Sequence, residues 1–415
     1  MNTRPKSITV IGIGVSPRHL TEYSLQPLQH ADLVIGSLRQ LGYIPHLDCA
    51  TLPYPKPMDE LLPLLDQLLH HGPHRNIVLL ASGDPLFHGI GSWLLKKMPL
   101  MPQVKLRCLP NITSIQYAAA LLGQSWDKLE VIHLHGENIA QLRARILNGH
   151  YYGLLTDAQN TPQAIAQELL QMGYDQSQCW IMEAMGTTDE QVTQLSAASL
   201  SQCSHPFHSF NVLFIEVKGA HSPWPQFPGA ADSWFSVEET DSAMYTKREI
   251  RLAILSLLQP QAQHIGWDVG AGFGSVALEW ARWNPLGQVY AIEKRAARYA
   301  ILLKHQQRWG VSKNLIAIQG CAPEIFINLP QPQRIFVGGG GADLKPILSA
   351  AWEKLSSPGR MVISVVTEHG KQVLYDFCQE KYPEWLEIQV SKPHALGTQW
   401  VLKPQLPVTL VGLEK

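Results

Sequence analysis

The stretch Trp267–Trp280, WDVGAGFGSVALEW, decides how the second half of the chain is read. An apolar run leads into Asp268, glycines follow at 270, 272 and 274, and a helical pattern begins at Ser275. That order describes a strand, a tight glycine turn and a helix, and ligands of open α/β sheets sit outside the carboxyl ends of such strands. The dinucleotide fingerprint is GxGxxG, and its last position here is Ser275. Glu293 closes the next apolar run, QVYAIE, about 20 residues on, where that fold carries a ribose-binding acid.

Asp268 directly precedes the glycines, where a carboxylate would repel a pyrophosphate. S-adenosylmethionine (SAM) suits the pair of acids better. It has an adenosine without phosphate, and its methionine end carries an ammonium and a sulfonium. Asp268 would neutralise the cationic end and Glu293 would take the ribose hydroxyls. Gly270, Gly272 and Gly274 would let backbone approach the ligand without a Cβ. A nicotinamide site and a purely structural turn are the alternatives. A later run, FVGGGG, ends in Gly338, Gly339, Gly340 and Gly341, which is room for a bulky substrate or a loose turn.

Around that stretch the same rhythm continues. HIGWDVGAG, QVYAIE, RIFVGGG and RMVISVV read as strands; KREIRLAILSLLQP and RAARYAILLKHQQRWG read as helices, the latter stopped by Gly310. The first half alternates too. SITVIGIG, ADLVIGS and NIVLLASG are short runs rich in branched residues. TPQAIAQELLQMG has Thr161 as N-cap, Pro162 at the first helical position and Gly173 past the end. The reading is α/β throughout, with mainly parallel sheets. Lys218–Ser233, rich in proline and glycine, breaks the rhythm as a linker on which Trp224 and Trp234 would dock. The expected division is residues 1–220, a linker at 221–227, and residues 228–415.

A chain of 415 residues exceeds one ordinary core. Its net charge of −1 argues against nucleic acid, and no apolar run is long enough for a membrane span. Six scattered cysteines without a CxxC pair read as reduced thiols of a cytoplasmic protein. The seventeen histidines show no metal-ligand spacing, so no metal is expected.

In the first half, GIG at Gly12–Gly14, SGDP at Ser82–Pro85 and PNITS at Pro110–Ser114 each break the chain at a strand end, and the three would converge on one crevice. Together these residues are recognisable. VIGIG, ADLVIGSLRQL, VLLASGDPLFHGIG, LPNITSIQYAAALLG and GLLTDAQNTPQAIAQELL resemble the tetrapyrrole methylases, whose fold is two small α/β lobes with SAM between them. YTKREIR, WDVGAGFGSVALEW, AIE, FVGGGG and TQWVLKPQLPVTLV resemble corrin methylases built on the Rossmann-like SAM-methyltransferase fold. Both halves in this order resemble one family, the decarboxylating precorrin-6Y C5,15-methyltransferases and their cobalt-corrin counterparts. GIGVSPRHLT departs from the wider methylase pattern GPGDP, and VVTEHG stands where VTLE is usual.

The resemblance implies a SAM site in each half. In the first half it implies contacts from Gly12, Gly14, Ser82, Gly83, Asp84, Thr113, Ser114 and Thr156; in the second, from Thr246, Asp268, Gly270, Gly272, Gly274 and Glu293. It implies methylation of a precorrin-6B type substrate at C5 by the first half. The second half would methylate C15 and decarboxylate the C12 acetate, giving precorrin-8X in cobalamin synthesis, in a homo-oligomer. A cobalt-carrying substrate is the alternative; an RNA methyltransferase and a non-enzymatic carrier are the rivals from other classes. Lys247, Arg248 and Arg251 open the second domain and would bind substrate carboxylates, beside Gly338, Gly339 and Gly340, or would form a solvated helix start. Methyl transfer from a sulfonium needs no acid for its neutral leaving group. Catalysis would then be positioning, which supplies roughly 7–11 kcal/mol, and no catalytic side chain is assigned.

Overall fold

In the computed structural model, which describes residues 6–44, 48–219, 224–235, 245–339 and 341–415, the apolar runs become strands. Contacts divide the chain into two units, Met1–Glu137 with Asn148–Ala220, and Asn138–Leu147 with His221–Lys415. A division by sequence at residue 220 leaves 138–147 with the first half; its contacts assign it to the second unit. Residue 220 and residues 221–223 of the expected linker lie outside the described residues.

Unit 1 has two sheets. β1 (Ser7–Gly12), β2 (Leu33–Gly36), β3 (Ala50–Pro53), β4 (Asn76–Ala81) and β5 (Lys105–Leu109) form a parallel sheet in the order β3-β2-β4-β1-β5. β6 (Leu129–His133), β7 (Tyr151–Leu155), β8 (Gln178–Glu183), β9 (Gln191–Ser196) and β10 (Asn211–Glu216) form a second sheet in the order β6-β7-β10-β8-β9, parallel only between β6 and β7. The helix Pro162–Gln171 starts at Thr161, whose side chain accepts from the Ala164 N–H, with Pro162 first inside.

Unit 2 is built on a seven-stranded sheet with a separate two-stranded hairpin. β11 (Ile265–Val269), β12 (Gln288–Glu293), β13 (Leu315–Gln319), β14 (Arg334–Gly338) and β15 (Arg360–Val365) are parallel. After β16 (Glu384–Ile388), a hairpin of β17 (Ser391–Leu396) and β18 (Gln399–Pro404) leads to β19 (Val408–Glu414). The order is β13-β12-β11-β14-β15-β19-β16, with β19 antiparallel to both neighbours. The strand order reverses between β11 and β14, the switch point at which open sheets bind ligands. These are the two-lobed methylase fold and the Rossmann-like methyltransferase fold that the resemblance implies.

Alternation along β11 sets the packing. Trp267 and Val269 face a core with Phe326, Ile335 and Val337, while the opposite face packs Trp280, Trp309 and Phe336. Gly266 is required there because a Cβ would lie 2.1 Å from the Trp280 ring. Each large apolar side chain so buried contributes roughly 1.5–3 kcal/mol.

Residues 138–147 lie along the helix Ala296–Trp309 and its stop. Gly310 adopts φ +68°, and a Cβ there would meet the Ala140 carbonyl at 1.9 Å, so the strap and the helix end share one glycine. Arg282, 3 % exposed, donates to the carbonyls of Arg143 and Pro225. Trp224 and Trp234 dock as expected, 4.8 Å apart, with Trp234 at 6.0 Å from Trp309.

Candidate functional site

Each unit holds a crevice at the carboxyl ends of its strands. The crevice of unit 1 encloses about 290 Å³ and is lined by Gly14, Ser82, Gly83, Asp84, Thr113, Ser114 and Thr156, from four separate strand ends. Gly14 and Gly83, both at φ +64°, exchange backbone hydrogen bonds and hold the first two turns together. Asp84 does similar work with its side chain, accepting from the Leu86 N–H at 2.8 Å and the Asn111 N–H at 3.1 Å. The Ser82 hydroxyl accepts from Arg39 and Gln40. Thr113 caps the helix Ser114–Leu122 in a reciprocal box with Gln116. The Thr156 hydroxyl donates to the Asn211 side chain at 2.9 Å.

Gly12 is not part of that lining. A Cβ on it would meet the Gly83 carbonyl at 2.6 Å and Asn111 and Pro85 at 2.9 Å, so it is a packing glycine beneath the turn. Sequence reasoning missed Arg39, Phe87, His88, His133 and Phe210, which also line the crevice. Arg39 sits 4.1 Å over the Phe210 ring.

The cavity of unit 2 encloses about 640 Å³. Thr246, Lys247, Asp268, Gly270, Gly272, Gly338 and Gly339 line it, as does His369 of the VVTEHG stretch; Tyr245, Arg298 and Gln405 also line it and are not picked out by the sequence. Gly340 lies outside the described residues. Gly270 faces Gly338 across the switch point; a Cβ on Gly270 would stand 3.1 Å from the Gly338 carbonyl. Gly274 is not in the lining; at φ +86° it caps the helix Ser275–Trp283 and packs against Leu302.

The two acids are both buried. Glu293, 4 % exposed, accepts from the Gly272 N–H at 2.9 Å and the Arg295 N–H at 2.8 Å, so it braces the glycine turn from beneath. Asp268, 1 % exposed, accepts from the Ala277 N–H at 3.0 Å through Oδ2, and its Oδ1 has no partner among the described residues. Burial pushes its carboxyl up to about 7, and the nearby Glu293 adds to the rise against the Ala277 hydrogen bond.

The three cations that open the domain separate. Lys247 lines the cavity, its ammonium 3.8 Å over the Tyr245 ring. Arg248 is exposed outside it. Arg251 corrects the expectation most clearly. It is fully buried, paired with Asp232 at 2.9 Å and Glu279 at 3.5 Å, donates to the Thr246 and Ala230 carbonyls, and lies 4.3 Å over Phe235. Both Nη atoms are engaged inside the protein and Arg251 does not line the cavity, so it holds the entry to the domain together. Asp232 and Glu279 come from distant segments, which is why helix spacing alone missed this.

Residues 7–201 match the family model of tetrapyrrole (corrin/porphyrin) methylases, and residues 237–415 match that of the precorrin methyltransferase domain. The chain is 32% identical to a decarboxylating precorrin-6Y C(5,15)-methyltransferase of Sinorhizobium sp, over 97% of this chain and 95% of that protein. A protein of the same name from Mycobacterium tuberculosis (strain CDC 1551 / Oshkosh) is 30% identical, over 98% and 100%. A probable cobalt-precorrin-6B C(15)-methyltransferase (decarboxylating) of Pyrobaculum aerophilum is 32% identical over 45% of this chain and 97% of its own length. With both halves matched in one continuous alignment, the chain belongs to the decarboxylating precorrin-6Y C(5,15)-methyltransferase family.

Proposed function

We propose that this chain methylates a metal-free precorrin of the precorrin-6B type at C5 and C15 and removes the C12 acetate carboxyl as CO₂, giving precorrin-8X. The observation that carries the reading is the presence of two separate crevices, one per unit, each at strand carboxyl ends and each built on glycine turns. SAM fits the second. Its cationic methionine end answers the unpartnered Oδ1 of buried Asp268, and the close Gly270–Gly338 approach is a cradle that a Cβ would narrow. Asp268, Gly270 and Gly272 would hold it there, on the turn that Glu293 braces from outside the lining; Gly14, Ser82, Gly83, Thr113, Ser114 and Thr156 would hold a second molecule in unit 1. When bound, SAM supplies an electrophilic methyl group on a sulfonium.

The chain's own residues orient and exclude water. Among the described residues, Lys247 and Arg298 line the unit 2 cavity and suit the carboxylates of the substrate. Unit 1 serves C5, and unit 2 serves C15 and the acetate. The names of the full-length relatives support the double methylation, and that of the shorter relative supports a part concerned with C15 and decarboxylation. The six free cysteines support a reducing, cytoplasmic setting. The hairpin β17–β18 exposes Leu396, Trp400 and Leu402, which supports a homo-oligomer.

Purified chain incubated with SAM and precorrin-6B should yield one product that has gained two methyl groups and lost one CO₂ by mass. Calorimetric titration with S-adenosylhomocysteine should give two sites per chain. A product with a single methyl, or one binding site, overturns the reading.

A further inference from the structure

Two imidazoles stand face to face in the unit 1 crevice. His88 and His133 have ring centroids 4.7 Å apart and planes 9° from parallel, and both line the crevice. They arrive from different sheets. His133 is the last residue of β6, while His88 follows the SGDP turn after β4. His88 holds its place at φ +51°, a left-handed backbone that a residue with a Cβ rarely adopts. Such conformations persist where the surroundings enforce them, and they gather at functional sites.

The titratable side chains lining this crevice are Arg39, Tyr43, Asp84, His88 and His133. Asp84 is engaged at both oxygens by the N–H groups of Leu86 and Asn111. Histidine alone among these is of a type that exchanges a proton between pH 5 and 8. His135 lies beyond His133 at 6.1 Å, and Phe87 meets His88 edge-on at 5.0 Å. Two stacked imidazoles take up one proton more readily than two, because the second charge would sit against the first.

Methylation of a macrocycle carbon that carries hydrogen has a strict balance. A C–CH₃ bond forms while the donor's S–CH₃ bond breaks with its electron pair on sulfur. The C–H proton must then leave, and its bonding pair returns to the conjugated ring. SAM and an orienting pocket account for the first part only; the proton needs an acceptor.

We propose that the stacked pair His88 and His133 is the proton acceptor for the methylation carried out in unit 1. The proposal rests on the reading that this crevice methylates C5. One imidazole nitrogen takes the C5 proton; the second ring shares the field of the new charge and passes the proton to water through the exposed His88 side of the pair.

The test uses the full chain with His88→Asn, His133→Gln and the double variant. Asparagine is chosen at 88 because it tolerates left-handed backbone. C5 and C15 methylation are read separately by mass spectrometry of the products, so C15 methylation and CO₂ loss report that each variant is folded. The double variant should lower kcat for C5 methylation by about 10²- to 10⁴-fold with KM nearly unchanged, and each single variant by less. The acid limb of the C5 pH–rate profile should disappear, and free imidazole should restore part of the rate. A readout without substrate is the NMR titration of the ligand-free protein, in which His133→Gln should displace the His88 titration.

An unchanged C5 rate in the double variant overturns the proposal. A raised KM at constant kcat also overturns it, since the pair would then merely bind a carboxylate. Independent titration of the two rings removes the coupling on which it stands. Loss of C15 methylation with C5 methylation intact would overturn the assignment of C5 to unit 1. An intact C5 rate in the double variant, with C5 methylation abolished by Gly83→Val, keeps that assignment and sinks only the base.

Discussion

Ligand binding to unit 2 should depend on pH through Asp268. Its carboxyl is pushed up to about 7 by burial, with Oδ1 unpartnered among the described residues. A cationic ligand needs the carboxylate, so binding below that value must first drive off the proton. Between pH 8 and pH 6 the ionised fraction falls from about nine-tenths to about a tenth. Affinity should therefore fall about tenfold, or ~1.4 kcal/mol. At pH 6 about one proton should be released per ligand bound; at pH 8, almost none. Calorimetry with S-adenosylhomocysteine in two buffers of different ionisation enthalpy measures both quantities. Repeating it with SAM separates the ammonium from the sulfonium. Asp268→Asn should abolish the slope. The same group also acts on stability. Its folded value lies above the unfolded 3.8, so its contribution is complete below pH 3.8 and is lost as pH rises through about 7. Up to ~4 kcal/mol is at stake, and Asp268→Asn should flatten that part of the stability curve. Affinity independent of pH from 6 to 8, with no proton released at pH 6, would refute the reasoning.

Glu293→Ala removes the acceptor of the Gly272 and Arg295 N–H groups and should weaken unit 2 binding by ~1.5–3 kcal/mol, leaving the unit 1 isotherm untouched. Arg251→Met leaves the buried Glu279 charge without its cationic partner, keeping only the Gly229 and Ala230 N–H groups, and should lower stability in urea by ~3–5 kcal/mol, with no change in KM for whatever fraction remains folded. Gly83→Val forces a branched residue to φ +64° at the crevice wall, and mass spectrometry should find a decarboxylated product carrying one methyl, at C15. Trp400→Lys with Leu402→Lys should shift the chain to a smaller species in light scattering, since both side chains are exposed on the hairpin.

The parallel strands β1, β2, β4, β11, β12, β14 and β15 are legible as short runs rich in branched residues, several of them closed by glycine or by an acid, whereas β3, β5, β6 and β13 are not read from the sequence. β11, β12 and β14 are the plainest of the legible runs. The hairpin β17–β18 is not legible either, because nearly every residue of SKPHAL and QWVLKP is exposed and no buried face imposes alternation. Asp268 and Glu293 could be picked out because the turn they serve is adjacent in sequence or one strand away. Arg298 and His88 reach the crevices by tertiary placement, and neither is singled out by its own spacing. Arg251 failed for the opposite reason. Its spacing from Arg248 suggested a shared cationic face, but partners at Asp232 and Glu279 draw it into the core while Arg248 stays in solvent.

The strap at 138–147 bears on how such a chain could be divided in evolution. Its ten residues are encoded within the first half and yet complete the second unit. The Arg143 carbonyl accepts from the buried Arg282 guanidinium, and Ala140 crosses directly over Gly310. Fission at residue 220 would thus take the Arg143 carbonyl away from a buried cation and bare the end of the helix Ala296–Trp309. A free-standing second half cut from this chain would need compensating changes at Arg282 and Gly310 before it could persist alone. The fusion is a braid, and unpicking it takes more than one cut.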